Sequence, residues 1–286
     1  MASDAALARL GFIDLDRARR LIDSDVFAPF VGDEGADMAM LGSIGAAADP
    51  DMALLLFVRL LEACDDQRRR RMTSSLLADD DLRGRLFDVL GMSEALGEFL
   101  IRHPAKWEVL VDADALTVAP SAVRTRQALM HAVGADPDAP VPVASGDQGS
   151  LLDDLRVAYR VHLLGIAARD LAGLASMDVV AAWLSDLADS VLEAALAVAR
   201  AGLPADAVPC SFAIIGMGKC GGRELNYVSD VDVIFVAEAL PGSQSLLGSD
   251  DAPADEAGAL RTATALATGV MRACNAATSE GTIWEV

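Results

Sequence analysis

The residue types best suited to chemistry are concentrated in residues 216–236, GMGKCGGRELNYVSDVDVIFV. Gly216, Gly218, Gly221 and Gly222 fall within seven residues, and Asp230 and Asp232 stand one residue apart at the head of an apolar run. On extended backbone, residues i and i+2 share a face, so the two carboxylates are presented together while Val231, Val233 and Phe235 point into a core. Left bare, such a pair repels and one pKa rises; around a hard divalent cation both stay ionised. Mg²⁺ is therefore the expected cofactor, with Asp230 and Asp232 as its ligands and as the catalytic pair. Ten residues separate Lys219 from Asp230. Gly218 and Lys219 supply a tight turn and a cation, whose backbone N–H groups and ammonium can hold phosphate oxygens that metal ions bridge. The plain alternative, Asp230 capping a turn and Asp232 exposed at a strand end, leaves the glycines without a role. The chemistry is in-line nucleotidyl transfer, which asks for no His or Cys nucleophile in the motif.

Two other glycine-loop readings fail. A phosphate-binding G-x-x-x-x-G-K-[ST] loop needs glycine where Ala213 stands and a hydroxyl where Cys220 stands. Gly216, Gly218 and Gly221 do satisfy G-x-G-x-x-G after an apolar run, with Glu238 at a ribose-like distance. A parallel crossover, however, needs about a dozen residues with a substantial helix. Only Arg223 to Tyr227 are left to form one before Val231.

These residues must be positioned by the elements around them. CSFAIIG and VDVIFVAEA read as short buried strands on either side of the loop. GTIWEV opens a third. Residues 1–133 read as successive helices forming a lead domain, with Leu54, Val58 and Leu61 on one helical stripe. Ser93 is an N-cap, and its helix ends at His103 before Pro104. Residues 134–150, rich in Gly, Pro, Asp and Ser, form the linker to a domain over 151–286. That domain opens on a helix with a stripe through Val157, Val161, Leu164, Ala168 and Leu171, with Arg156 and Arg160 on another face. A second helix covers Val179 to Ala201 and stops near Gly202 and Pro204. Residues 254–277 return to helix after an acidic loop from Leu240 to Asp255. Trp107 reads as core, and His103, His131 and His162 as structural.

Composition narrows the function. A net charge of −20 and a pI near 4.3 disfavour binding to nucleic-acid phosphates. Arg68–Arg71 is a solvated helix face. No apolar stretch approaches the ~20 residues of a membrane helix, and the N-terminus does not read as a secretory signal. Cys64, Cys210, Cys220 and Cys274 are scattered, as suits reduced thiols in the cytoplasm. An acidic protein handling a nucleotide must neutralise phosphates locally, which again calls for a divalent cation.

The glycine pair, spacer and D-x-D resemble the DNA polymerase β-type nucleotidyltransferase superfamily. The longer string is similar to the G-M-G-K-x-G-x-x-E-L-N-x-x-S-D-[IV]-D signature of the glutamine synthetase adenylyltransferase/adenylyl-removing enzymes. Further matches are LGMSEALGEFLIRHPAKWEVL at 90–110, LRVAYRVHLLGIAARDLAG at 155–173, LSDLAD at 184–189 and EGTIWEV at 280–286. The resemblance implies an α+β, predominantly helical chain: a helical N-terminal region followed by an incomplete polymerase β-like palm. It implies a bifunctional enzyme, one half transferring AMP from ATP to a tyrosine of glutamine synthetase, the other removing it by phosphorolysis with release of ADP. About 210 residues, largely helical, precede the motif; that order resembles the N-terminal, adenylyl-removing half. The implied partners are glutamine synthetase, ATP or ADP, phosphate and the small PII signal protein. By the same resemblance Gly216, Gly218 and Lys219 are expected to cradle phosphate and Ser229 to cap or orient the aspartates, while Arg223, Glu224 and Asn226 match the signature and are expected to brace the loop. The family places a third carboxylate directly after the WEV strand; the sequence ends at Val286, and Glu285 falls one residue short, on the opposite face. The expectation is a fragment or truncated homologue with a metal site short of one wall. Two alternatives remain: a uridylyltransferase acting on PII, whose loop also runs G-x-G-R-x-E-L-x-x-x-S-D-x-D, and a non-catalytic helical docking module with an incomplete nucleotide site.

Overall fold

The computed structural model describes residues 3–31, 34–112, 116–241, 255–284 and 286. Most of the acidic loop between Leu240 and Asp255, and Glu285, lie outside the described residues. The chain divides into two compact units, one of residues 1–119 with 164–175, the other of residues 120–163 with 176–286. Among the described residues no helix is long and apolar enough to cross a membrane.

The first unit is helical: α1 (Asp4–Arg9), α2 (Leu15–Ile22), α3 (Glu34–Gly45), α4 (Pro50–Ala63), α5 (Asp66–Ala78), α6 (Asp80–Met92) and α7 (Glu94–Arg102). Short acidic or hydroxyl side chains set the starts. Asp49, Asp65, Asp79 and Ser93 each accept a backbone N–H from the first turn of the helix that follows. The Ser93 cap and the stop at His103 are as the sequence predicts. α4 is central, packing on α6 and α7. Phe57 meets Phe27, Phe30 and Phe87 with ring centroids 5.0–6.1 Å apart, the edge-to-face range that aromatic quadrupoles favour. Trp107 is fully buried. Arg68, Arg69 and Arg71 pair with Asp65, Asp66 and Glu108 at the surface.

The second unit contains α8 (Ala122–Ala132), the first part of α9 (Gln148–Leu171), α10 (Met177–Ala201), β1 (Cys210–Gly216), α11 (Gly218–Gly221), β2 (Val233–Ala239) and α12 (Glu256–Asn275). α10 carries Leu184, Leu187, Val191, Leu192 and Val198 to the core, and α8 and α12 pack on it. Each such side chain, fully buried, contributes about 1.5–3 kcal/mol. α12 approaches closely because the contact residues are small: a Cβ added at Gly269 would fall 2.6 Å from that of Ala199. In the stretch expected as a linker, the Ala144 amide donates to the Ala197 carbonyl of α10 at 3.0 Å.

β1 and β2 pair antiparallel without a bulge, from Cys210 opposite Ala239 to Gly216 opposite Val233. This removes the dinucleotide reading, which needs a parallel crossover. Phe212 and Phe235 stack at 5.7 Å on one face of the sheet. Ile215, Ile234 and Val236 are half-exposed on the other.

Two expectations are corrected. The first concerns α9, where Val157 and Val161 are only partly buried. Leu151, Leu155 and Tyr159 are buried, and so, completely, is Arg156. Burial pulls the Arg156 pKa below its ordinary range, and the charge is accommodated by main-chain oxygens. Nε donates to the Gly281 carbonyl at 2.8 Å, Nη1 to Leu152 at 2.7 Å, and Nη2 to Ala276. The second concerns GTIWEV, whose described residues do not form a third strand. Thr278 and Gly281 make an isolated bridge, the Ile283 amide donates to the Cys274 carbonyl, and Trp284 meets Tyr159 edge-on at 5.2 Å. The Gly281 carbonyl is thus taken by Arg156 of α9 and the Ile283 amide by α12.

Arg156 thus ties residues 276–281 to α9. Arg156→Met, similar in length but without donors, leaves three part-buried carbonyls without this partner. It is expected to lower unfolding free energy by about 3 kcal/mol in urea titrations. Arg156→Lys is expected to recover little of that loss, because one ammonium cannot span both carbonyls.

Candidate functional site

The hairpin positions the site. Beyond the last paired residues, Gly216 and Val233, the Met217 amide donates to the Asp232 carbonyl at 2.8 Å, extending the ladder by one bond. Gly218 follows at φ +51°, a left-handed conformation that favours glycine. A Cβ at that position would sit 2.7 Å from Asp232 Oδ2. Glycine is therefore required twice over, by backbone conformation and by the carboxylate lying against it. The chain then makes one helical turn, α11, which carries Lys219 exposed and Cys220 buried. This turn lies over the glycines, and Arg223 to Tyr227, the residues left for a crossover helix, are not helical.

Asp230 and Asp232 lie just before β2, which begins at Val233 rather than Val231. The expected alternation persists without strand pairing: both acids are exposed, while Val231 between them is 1% exposed. Leu225 is also buried, so buried apolar residues anchor the segment that displays the acids. Ser229 Oγ lies 3.4 Å from Asp230 Oδ1. Gly216 ends β1, where an added Cβ would stand 3.4 Å from Cys220 Sγ.

A second tie runs to α10. Arg223, held at φ +59°, donates from Nη1 to Asp186 at 2.7 Å. A non-glycine residue in that region costs on the order of 1–3 kcal/mol, so the surrounding contacts over-determine it. Cys220 Sγ lies 4.0 Å from Asp189 Oδ1. Burial, then the Asp189 charge, pushes the Cys220 thiol up to about 11. Burial, with Asp186 nearby, raises the Asp189 pKa. Sequence reasoning matched LSDLAD but gave its acids no part. The signal was present in the i, i+3 spacing of Asp186 and Asp189, which puts both on one helix face.

The donor set suits magnesium. Asp230 and Asp232 offer hard carboxylate oxygens open to solvent, and Mg²⁺ is commonly held by one or two carboxylates plus waters and substrate phosphates. Among the described residues no group of three His, Cys, Asp or Glu side chains is assembled for a metal, so a third carboxylate is not supplied by them. Asn226, Ser229 and Asp230 also line a cleft of about 490 Å³ walled by Leu184, Leu187 and Trp284.

The sequence profile of the glutamate-ammonia ligase adenylyltransferase family matches residues 83–286. Bifunctional glutamine synthetase adenylyltransferase/adenylyl-removing enzymes are similar along much or nearly all of the chain. That of Streptomyces avermitilis is 45% identical over 281 residues, 98% of this chain and 25% of the relative. That of Mycobacterium tuberculosis H37Rv is 40% identical over 242 residues, 82% of this chain and 22% of the relative. That of Bifidobacterium longum is 37% identical over 295 residues, 99% of this chain and 26% of the relative. The chain belongs to the glutamate-ammonia ligase adenylyltransferase family. It spans about a quarter of the length of these curated relatives.

Gly218→Ala is expected to destabilise by about 1–3 kcal/mol through strain alone, with a further cost for displacing the Asp232 carboxylate. Gly84→Ala, in α6 with no atom within 4 Å of the new Cβ, is the control; it should gain roughly 0.5–1 kcal/mol of helix stability. Paired thermal melts check both.

Proposed function

We propose that this chain is the nucleotidyl-transfer portion of an enzyme that controls glutamine synthetase by adenylylation, and that it serves the adenylyl-removing, phosphorolytic direction. A phosphate oxygen then bonds to the adenylyl phosphorus as the bond from that phosphorus to the tyrosine oxygen of glutamine synthetase breaks, so that ADP and the free tyrosine are the products. The observation that carries this reading is the packing of the Gly218 turn against Asp232, with Asp230 exposed one residue away from it. It sets a phosphate-holding turn beside a paired oxygen site for a cation. The family relationship supports the substrate class. The long helical region before β1, α1 to α10, supports the removing half by its resemblance to the order of elements in that half.

In this reading Asp230 and Asp232 hold Mg²⁺, which when bound would supply charge neutralisation at the phosphate oxygens. Lys219 and the turn at Gly216 and Gly218 hold phosphate oxygens, and Ser229 orients Asp230. Arg223, anchored on Asp186, braces the loop so that the acids and the turn keep their spacing; a positional error of about 1 Å at such a site costs on the order of 100-fold in rate. The polypeptide thus contributes positioning and charge rather than a covalent intermediate. Glutamine synthetase and a PII-type signal protein are the proposed protein partners, and the cytoplasm the proposed setting. A polymerase β-like palm is the proposed architecture around the hairpin.

The test uses a polypeptide of the relatives' full length. Asp230→Asn and Asp232→Asn are each expected to lower Mg²⁺- and phosphate-dependent release of ADP from adenylylated glutamine synthetase by about two to four orders of magnitude. Undiminished release would remove the metal role. UMP transfer to PII in its place would make the chain a uridylyltransferase. Absence of Mg²⁺-dependent nucleotide binding would make it a docking module.

A further inference from the structure

We propose that the groove along α12 docks an acidic, amphipathic helix of a partner protein, one of its acids meeting Arg261 and another, three turns on, meeting Arg272. The groove measures about 590 Å³ and lies wholly within the second unit. α12 forms one wall. The other comes from the C-terminal end of α10, with Leu203 and Pro204, and from the start of α9. It shares no lining residue with the cleft beside Asp230 and does not depend on the nucleotidyl-transfer reading.

The exposed face of α12 differs from an ordinary solvated one. A helix face left to water is typically charged and polar. Here Ala257, Leu260, Thr264, Ala265 and Thr268 are exposed, Leu260 by 66%. Both threonine hydroxyls donate one turn back, to the carbonyls of Leu260 and Thr264, so their donors are already spent. The helix carries three charged residues, Glu256 in its first turn, Arg261 and Arg272. Both arginines line the groove, and among the described residues neither side chain hydrogen-bonds or pairs with an acid. Elsewhere in the same unit Arg126 and Arg223 pair with acids, while Arg156 and Arg200 donate to main-chain carbonyls. The chain has 43 acidic residues, yet no Asp or Glu stands in the described lining. The groove is a cationic site on an anionic molecule, and an acidic occupant supplies the partners its arginines lack.

Geometry selects a helix. Eleven residues separate the two arginines, about 16 Å along the axis and three turns, so both leave the same face of α12. That separation fits acids about eleven residues apart on a second helix laid along the first. An extended peptide is disfavoured: the walls are helices whose interior amides and carbonyls are bonded within the helix, so no strand edge is offered. Recognition falls to side chains. Gly202, Ala265, Gly269 and Ala273 keep the lining low, which lets a second helix lie close. A second copy of this chain would bring its own net charge of −20 and is disfavoured by it.

Fluorescence anisotropy on the 286-residue chain tests the assignment with three synthetic helical peptides. They share a Leu/Ala stripe and differ only at two positions eleven residues apart, which carry Glu, Gln or Lys. The Glu peptide is expected to bind about tenfold more tightly than the Gln peptide, and the Lys peptide least. Arg261→Glu combined with Arg272→Glu, both at exposed positions and checked by melting temperature, should reverse that order. Ala265→Trp, which fills the groove, should weaken all three peptides. Equal binding of the Glu and Gln peptides, or no binding of any peptide, overturns the proposal. Two further results overturn it in favour of another occupant. A dimer in sedimentation velocity that the double arginine variant abolishes gives the groove to a second copy. Binding of the Glu peptide only after deletion of residues 242–254 gives it to that acidic segment of the chain itself.

Discussion

The hydrogen bond from the Met217 amide to the Asp232 carbonyl sets the whole site. It is one rung beyond the β1–β2 ladder, and it fixes the register at the mouth of the hairpin. Once that rung is made, Gly218 has one place to go, against the Asp232 carboxylate. Slipping the register by one residue would invert the faces of the acidic segment, burying Asp230 and Asp232 and exposing Val231. The energy at stake in such a slip is that of two buried carboxylates, far more than any single contact in the loop contributes. Register is therefore strongly specified, although the sheet has only two strands among the described residues.

A two-stranded hairpin is marginal by itself in water. Here α12 lies against it, and α10 secures the loop at its mouth through Asp186 and Asp189. The Arg223–Asp186 pair is half-exposed on the arginine side, so its own contribution is small, of the order of the ~0–1 kcal/mol typical of surface pairs. Its importance is geometric. It holds Arg223 in a conformation the residue does not favour, and with it the path of the chain from the glycines to Leu225.

Much of this was legible from local pattern. Ser93 and His103 bound their helix by capping chemistry that needs no tertiary context. The strands around the loop announced themselves as short apolar runs, and the shortness of the segment between them excluded a parallel crossover. Side-chain alternation gave the exposure of Asp230 and Asp232 on either side of buried Val231 even though regular pairing starts only at Val233. What was not legible depended on partners distant in sequence. Arg156 reads as a surface cation until residues 276–281 supply it with carbonyl oxygens. GTIWEV has the composition of a strand, yet its Gly281 carbonyl is taken by α9 and its Ile283 amide by α12. Asp186 and Asp189 look like ordinary polar positions on α10 until the glycine loop returns to them.

The proposed function stands on two exposed acids and the adjoining glycine turn together holding a cation for nucleotide phosphates. Anomalous diffraction from crystals grown with Mn²⁺ and ADP tests it most directly. A manganese peak is expected about 2.0–2.3 Å from carboxylate oxygens of both Asp230 and Asp232, with a phosphate oxygen completing its shell from the Gly218 side. Manganese bound elsewhere, or held by only one of the two acids with the nucleotide away from the turn, would contradict it.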